Sequence, residues 1–538
     1  MKRMIALMAA AVCTATAICP SSPGQDLTSG PYKLPYKNTY VKDIFVAENP
    51  FRTQTPETVI PGSFEQARNI LPSPFWEGHE KEVEMYWDAW RIAVSHIRQP
   101  RPGSGFVSPY LDVAYNGNIF MWDTSFMMLF AKYGRDFFPF QRSLDNFYAK
   151  QHQDGFICRE IREDGSDCFE RYDPTSTGPN LLPWVELAYY RQYGDLDRLH
   201  KVFPALCAYS RWWQLNRTWP NGSYWSSGWG TGMDNMPRVR PEYNPIFSNG
   251  HMEWIDTNLQ QILMDECLLQ IGFYTERWQE IEYLENEIKF LKKHINGYMW
   301  NDGTGFLHDR YADGSLCETK GIGAFWALHS DVLPTERLDR LVAHLRDTCE
   351  FSRPHRVPSL SADHPKYNPN GRYWQGGVWP GTEYMTITGL WNKGYRDLAD
   401  EIAENHFNAV FEVWKKTGTF WEYYAPEAIE PGFMARRDFV GWTGLTPISV
   451  FIEYVLGIKS RYEDNLIEWN LAAVESSGIE RYPFGPEGLV SLRAEHRKSP
   501  SEKPVIRIKT NVPFKLSVFW GDGQHTEMNI EKSGTIRL

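Results

Sequence analysis

From Trp76 to about residue 457, one pattern dominates the chain: apolar side chains recur at helical spacing, often around the whole circumference of the helix. Val83, Tyr86, Trp87, Trp90, Ala93, Val94 and Ile97 set the period. Further helices are expected near residues 119–133, 138–150, 180–194, 198–217, 253–271, 275–295, 320–330, 335–348, 377–392, 395–416 and 442–456. Segments such as Ile119 to Phe130 and Leu181 to Tyr190 are apolar on several faces, so they need packing partners on both sides. Antiparallel helix pairs with an inner, more apolar ring predict a mainly α architecture, an (α/α)6 toroid over residues 76–460.

The flanks read differently. Residues 20–75, rich in Pro, Thr and Asn with little periodicity, predict an extended arm over the larger body. Residues 461–538 predict a small β module. There Ile506 and Ile508, then Phe514, Leu516, Val518 and Trp520, alternate with period two, and Asp522-Gly523 supplies a turn. Leu489 to Arg493 and Thr535 to Leu538 are further expected strands.

Residues 1–19 have the form of a secretory signal: Lys2 and Arg3, an apolar run from Ile5 to Ile18, and the small-residue site Ala15-Thr16-Ala17. An exported, periplasmic or extracellular protein is expected. Lipid anchoring at Cys19 ranks below release, because Ile18 fits poorly before such a cysteine. No later stretch is long and apolar enough to span a membrane.

The other six cysteines have no CxxC pairing, so no metal site or cofactor is expected; no loop has EF-hand spacing, and whether loop carboxylates bind a structural calcium is open. Whether Cys158 and Cys168 pair across the Asp164-Gly165 turn is open. A net charge of -11 argues against a nucleic-acid partner.

Aromatic residues make up 15% of the chain, including 22 Trp, and serve equally well in a large core or as the walls of a sugar site. Gly228-Trp229-Gly230-Thr231-Gly232-Met233-Asp234-Asn235-Met236-Pro237-Arg238 reads as a helix-free loop with one carboxylate, Asp234, beside Trp225 and Trp229. A carboxyl desolvated by indole rings is driven toward its protonated form, as a proton donor to a glycosidic oxygen requires. The plain alternative is a turn-capping Asp.

A second isolated acid, Glu422, sits in Gly418-Thr419-Phe420-Trp421-Glu422-Tyr423-Tyr424. Trp122-Asp123 opens a helix, where Asp123 either caps it or accepts a hydroxyl. Gln153-Asp154-Gly155 forms a turn, and Tyr373-Trp374-Gln375-Gly376-Gly377-Val378-Trp379-Pro380 places tryptophans beside glycines.

These motifs, with Trp254-Ile255-Asp256-Thr257-Asn258, Pro358-Ser359-Leu360-Ser361 and Trp442-Thr443, resemble glycoside hydrolase family 63 in order and rough spacing over residues 76 to 457. Its bacterial members include mannosylglycerate hydrolase-like enzymes and α-glucosidases, and the family 37 trehalases are relatives. The resemblance implies an inverting α-glycosidase acting on a small oligosaccharide or glycoside, with Asp234 as general acid and Glu422 as general base. Substrate contacts are expected from Trp122, Asp123, Gln153, Trp229, Arg238, Trp374, Gln375, Trp379, Tyr423 and Trp442. The two carboxyls should stand ~6.5–9.5 Å apart, leaving room for water.

Gln375 stands where the family usually has Arg, Gly381-Thr382-Glu383-Tyr384 replaces a Pro-x-Asn-Tyr-like pattern, and the wording after Ala425-Pro426 differs. A glycan-binding protein on the same scaffold would keep the tryptophans without needing both acids. A glycoside phosphorylase would need a phosphate site, for which Arg436 and Arg437 are candidates.

Overall fold

The structure, a computed structural model, describes residues 39–113, 116–521 and 523–538. The expected secretory segment and Asp522 lie outside them. The body is helical to Val455, and strands take over from Ile458.

Two kinds of helix alternate. In Met121–Ala131 all eleven residues are buried, and Leu182–Tyr193, Ile255–Tyr274 and Pro380–Asn392 are buried on most faces. Between them stand one-sided helices such as Leu284–His294, which buries Leu284, Ile288, Leu291 and His294, a single stripe at helical spacing.

The buried elements pack in sequence. Met121–Ala131 packs on Leu182–Tyr193, which packs on Ile255–Tyr274; next come the segment Ile322–His329 and the helix Pro380–Asn392. Trp442–Val455 follows and packs back on Met121–Ala131.

Local chemistry sets the ends. Gly194 and Gly418 take left-handed conformations (φ +66° and +70°) that stop Leu182–Tyr193 and Arg396–Thr417, a geometry costly for any residue with a Cβ. The Asp195 side chain accepts from Arg198 N to start Leu196–Asn216.

Two expected α-helices differ in kind. Ile322–His329 is a 3₁₀ segment, and Trp442–Val455 runs as a 3₁₀ turn followed by a π-helix. At Gly323 an added Cβ would lie 2.9 Å from Asp256 Cβ and 3.0 Å from Met233, so the segment packs tightly there only because the residue is glycine.

The arm differs more. Instead of an extended strap, residues 39–75 hold the helices Ile44–Glu48 and Phe64–Ile70, the second closed by a reciprocal Ser63–Gln66 capping box. Phe45 meets Phe203 edge-on at 6.1 Å, and Phe51, fully buried, packs on Tyr148 at 5.2 Å. The arm ends in β1 (Ser73–Trp76), which pairs antiparallel with a strand near the other end of the chain.

The C-terminal strands are β2 (Ile458–Arg461), β3 (Leu466–Leu471), β4 (Ser477–Phe484), β5 (Gly488–Ala494), β6 (Val505–Thr510), β7 (Phe514–Trp520), β8 (Gln524–Ile530) and β9 (Gly534–Arg537). They form two sheets, β1-β4-β5-β6-β9 and β2-β3-β7-β8; β3 and β7 run parallel and every other pair antiparallel. Cys158 and Cys168 are unpaired thiols, and Cys158 Sγ faces Glu160 O at 3.1 Å.

Phe51→Ala should destabilise the whole body by ~3–5 kcal/mol, the cost of emptying a large core site. Urea denaturation should show a lowered midpoint. An unchanged midpoint would mean that the arm is dispensable packing.

Candidate active site

The expected acids meet where the buried helices begin. Asp123 lies in the first turn of Met121–Ala131, and the loop holding Asp234 runs between Leu196–Asn216 and Ile255–Tyr274. Glu422 lies on an irregular ladder in which Val378 and Tyr424 exchange backbone bonds of 2.9 and 3.0 Å.

The loop around Asp234 is not free of helix. Gly228–Thr231 forms one turn, capped by Ser227 Oγ accepting from Gly230 N at 3.0 Å and closed by Gly232 at φ +73°. The glycines permit tight packing: a Cβ on Gly232 would lie 2.9 Å from the Trp122 indole, and one on Gly228 would lie 2.4 Å from Asp234 O.

A column of rings ties the two acids together. Trp374 and Trp379 stack at 4.1 Å and 3°, and Trp379 stacks on Tyr423 at 4.4 Å. Tyr373 stands edge-on to Trp379 at 5.1 Å and donates from Oη to Asp234 Oδ2 at 2.9 Å. At the other end, Trp442 Nε1 donates to Glu422 O at 2.7 Å while its ring meets Trp379 at 5.4 Å. Glu422 N donates to Arg436 O at 2.9 Å, and Arg436 N approaches Glu422 Oε2 at 3.4 Å.

The electrostatics are those of crowded acids. Burial raises the Asp234 pKa, opposed first by the charge of Arg159 and then by the Tyr373 hydroxyl and the Trp229 side chain. Burial pushes Asp123 well above the carboxylate range, reinforced by the charges of Glu422 and, more weakly, Asp234. Asp123, Asp234 and Glu422 are therefore one interacting cluster.

Several expected contacts are corrected. Arg238 is buried away from the cleft: its guanidinium holds Asp256 Oδ2 at 2.7 Å, Asp256 Oδ1 at 2.9 Å and Asp309 Oδ2 at 2.7 Å, with Trp254 stacked at 4.3 Å. It fixes the base of the Asp234 loop. Gln153 is exposed, and its carbonyl accepts from Asp43 N of the arm at 2.9 Å.

Trp374, Trp379 and Tyr423 are at most 2% exposed, so they form the wall behind Tyr373 rather than an open stacking surface. Trp225 belongs to a separate cluster with Trp219, Met252 and Trp254. Gln375 Nε2 reaches Asn235 O at 3.3 Å, bracing the residue after the acid. Trp122 packs against Gly232, Asp123 lies near Asp234 and Glu422, and Trp229, partly exposed, lies beside Asp234. Arg437 pairs with Asp438 at 3.2 Å on the surface.

Two site residues were not among those expected, Tyr373 and Arg159. Tyr373 adopts a left-handed backbone (φ +58°), rare for an aromatic residue, which aims its hydroxyl at Asp234. Its place beside Trp374 was the available signal. Arg159 Nε donates to Thr175 O at 2.8 Å, and its guanidinium lies over Phe169 at 4.6 Å and Trp229 at 5.0 Å.

An acid whose pKa is raised by burial and a second acid gather with Asp123 around one aromatic cluster. The sequence profile of the mannosylglycerate hydrolase MGH1-like glycoside hydrolase domain matches residues 118–436, more than half of the chain. The chain belongs to that family.

An uncharacterised protein of Borreliella burgdorferi is 26% identical over 367 residues, 65% of this chain and 74% of that one. A probable mannosyl-oligosaccharide glucosidase of Schizosaccharomyces pombe is 24% identical over 40% of this chain and 28% of its own length. The mannosylglycerate hydrolase of Rubrobacter radiotolerans is 26% identical over 30% and 35%. The chain thus spans about a third of these two named relatives. The glucose-bound family 63 mannosylglycerate hydrolase of Thermus thermophilus shares the fold, with a TM-score of 0.55 at 17% identity over 68% of this chain and 99% of that one.

Two substitutions test the site's framework. Tyr373→Phe removes a donor that favours ionised Asp234, so the alkaline limb of the pH–rate profile should move to higher pH, and kcat/KM should fall ~10-fold or more. An unmoved limb would detach Tyr373 from the acid. Arg238→Met leaves Asp256 and Asp309 buried without their cation and should cost ~3–5 kcal/mol in thermal or urea unfolding. A neutral result would return Arg238 to the open cleft.

Proposed function

We propose that this protein is an inverting α-glycoside hydrolase of a small α-linked oligosaccharide or glycoside, with Asp234 as general acid and Glu422 as general base. The observation that supports the proposal is the convergence of the two acids on one aromatic cluster, inside the segment that matches the family profile. Asp234 gives its proton to the glycosidic oxygen as the bond to the anomeric carbon breaks. Glu422 takes a proton from a water attacking the opposite face of the sugar, so the configuration inverts. Asp123 accepts sugar hydroxyls.

The named relatives, a mannosyl-oligosaccharide glucosidase and a mannosylglycerate hydrolase, support an α-glucoside or α-mannoside. The closed sequence of buried elements, with outer helices such as Leu284–His294 between them, supports a six-hairpin toroid as the scaffold. Export is part of the proposal and rests on the basic and then apolar residues at the start of the sequence.

Turnover of a panel of α-glucosides, α-mannosides and trehalose tests the class. Asp234→Asn tests the acid. It keeps the shape but cannot donate the proton, so kcat should fall by ~10²–10⁴-fold on natural glycosides and far less on an α-glycosyl fluoride, whose leaving group needs little protonation. Equal losses on both would remove Asp234 from the acid role.

A further inference from the structure

Behind Glu422 the core holds two imidazoles that the hydrolytic step does not use. His355 and His406 are both buried, and His355 Nε2 stands 2.8 Å from His406 Nδ1. His406 lies on Arg396–Thr417, and its Nε2 stands 2.7 Å from Thr446 Oγ1, at the start of the π-helix that follows Trp442. On the other side, His355 N donates to Pro426 O at 2.9 Å, and the His355 ring lies 5.8 Å from that of Tyr424 and meets the Ala425 backbone.

These contacts close a circuit around the base. The segment that leads into Thr446 also holds Glu422 directly: the Trp442 indole donates to Glu422 O, and the Thr443 hydroxyl donates to Trp421 O at 2.7 Å. Residues 421–426 are therefore held on one side by Trp442 and Thr443 and on the other by His355, and His406 joins the two sides. Asp234 is held separately, by the Tyr373 hydroxyl and a loop based on Arg238.

The order of donors follows from the chemistry. Ala425 N donates to Glu430 O at 3.1 Å, and the Ala425 backbone favours a proton on the His355 ring, as an accepting carbonyl does. Burial pushes the His355 pKa down to about 3 and that of His406 well below its ordinary value, so each ring carries one proton. His355 Nδ1 then donates to Ala425 O, His355 Nε2 accepts from His406 Nδ1, and His406 Nε2 accepts from the Thr446 hydroxyl. Buried imidazoles are costly to desolvate unless their nitrogens are paired. Paired in this way, they fix both the spacing and the orientation of the segments they join.

We propose that His355 and His406 are positioning residues for the general base: as a relay from Thr446 to the Ala425 carbonyl, they hold residues 421–426 in place and so fix where the Glu422 carboxylate meets the attacking water. This deepens the hydrolase reading and rests on it.

The test uses the full-length protein with a natural α-glycoside and the α-glycosyl fluoride of the same sugar. The fluoride needs the base but little help from the acid, so the two sides of the site separate. His355→Phe keeps a ring and removes both nitrogens. It should lower kcat ~10-fold or more on both substrates alike, a share of the ~10²–10⁴-fold that a positioned base supplies. KM should change little, and the alkaline limb of the pH–rate profile, set by Asp234, should not move. His355→Asn, whose amide can still donate to Ala425 O, should recover part of the loss. Thr446→Val alters the far end of the relay without touching either ring; it should lower kcat on both substrates by a smaller factor, and it carries the test if His355→Phe fails to fold. Independently of turnover, NMR of ¹⁵N-histidine-labelled wild type at neutral pH should show both rings neutral with the proton on Nδ1, the signals being assigned by their loss in His355→Phe and His406→Phe.

A loss confined to the natural glycoside, a raised KM at unchanged kcat, or wild-type rates in folded His355→Phe or in Thr446→Val would overturn the proposal. So would a charged ring or an Nε2–H tautomer at either position. If wild type turns over neither the glycoside nor the fluoride, the hydrolase reading itself fails and the positioning role falls with it, whatever the tautomers show.

Discussion

The stacking of Trp379 between Trp374 and Tyr423 is the contact on which the rest of the site depends. It sets Tyr373 and Trp442 around one buried ring, and each of these holds one acid: Tyr373 through its hydroxyl on Asp234, Trp442 through its indole N–H on the Glu422 carbonyl. Two loops far apart in the chain thereby acquire a fixed spacing. Rings at van der Waals contact in a close-packed interior have little room to shift, so a column of this kind positions groups more tightly than a pair of loops would alone. The left-handed backbone of Tyr373 is the strain stored at this junction, at a cost of ~1–3 kcal/mol recovered by the packing around it.

Below the column, a second layer does the same work with charges. Arg238 clasps Asp256 at the start of one buried helix and Asp309 in a neighbouring hairpin, under the loop that carries Asp234. Its ion pairs are buried, so their value lies in fixing geometry more than in net stability. Above, burial raises the pKa of Asp123 and of Asp234 while the charge of Arg159 pulls the other way, and Asp234 stays partly exposed.

Much of this was readable in the sequence, for physical reasons. Helices buried on all sides announce themselves by apolar residues on every face, and Met121–Ala131 and Leu182–Tyr193 lie where the periodicity puts them. Asp234 and Glu422 stood out because each is a lone acid among aromatics, and the fold brings both near Asp123. Arg238 misled because an arginine just after the acid in a glycine-rich loop reads as a substrate contact, while its partners, Asp256 and Asp309, are supplied by tertiary packing. Trp374 and Trp379 misled because a tryptophan in a glycine-rich loop reads as a surface when it is a wall. Strand β1 was invisible, being four residues whose only pairing partner lies near the far end of the chain. Tyr373 and Arg159 depend on a backbone angle and a cross-hairpin stack, neither of which has a period.

The central claim is that Asp234 and Glu422 act on opposite faces of the sugar with water as the nucleophile. Proton NMR of the first turnovers, recorded before mutarotation, tests it most directly. From an α-glycoside the account predicts that the β anomer appears first and the α anomer grows in only at the rate of spontaneous equilibration. If the α anomer appears first, a covalent glycosyl-enzyme intermediate must form, and the acid and base roles of Asp234 and Glu422 would be contradicted.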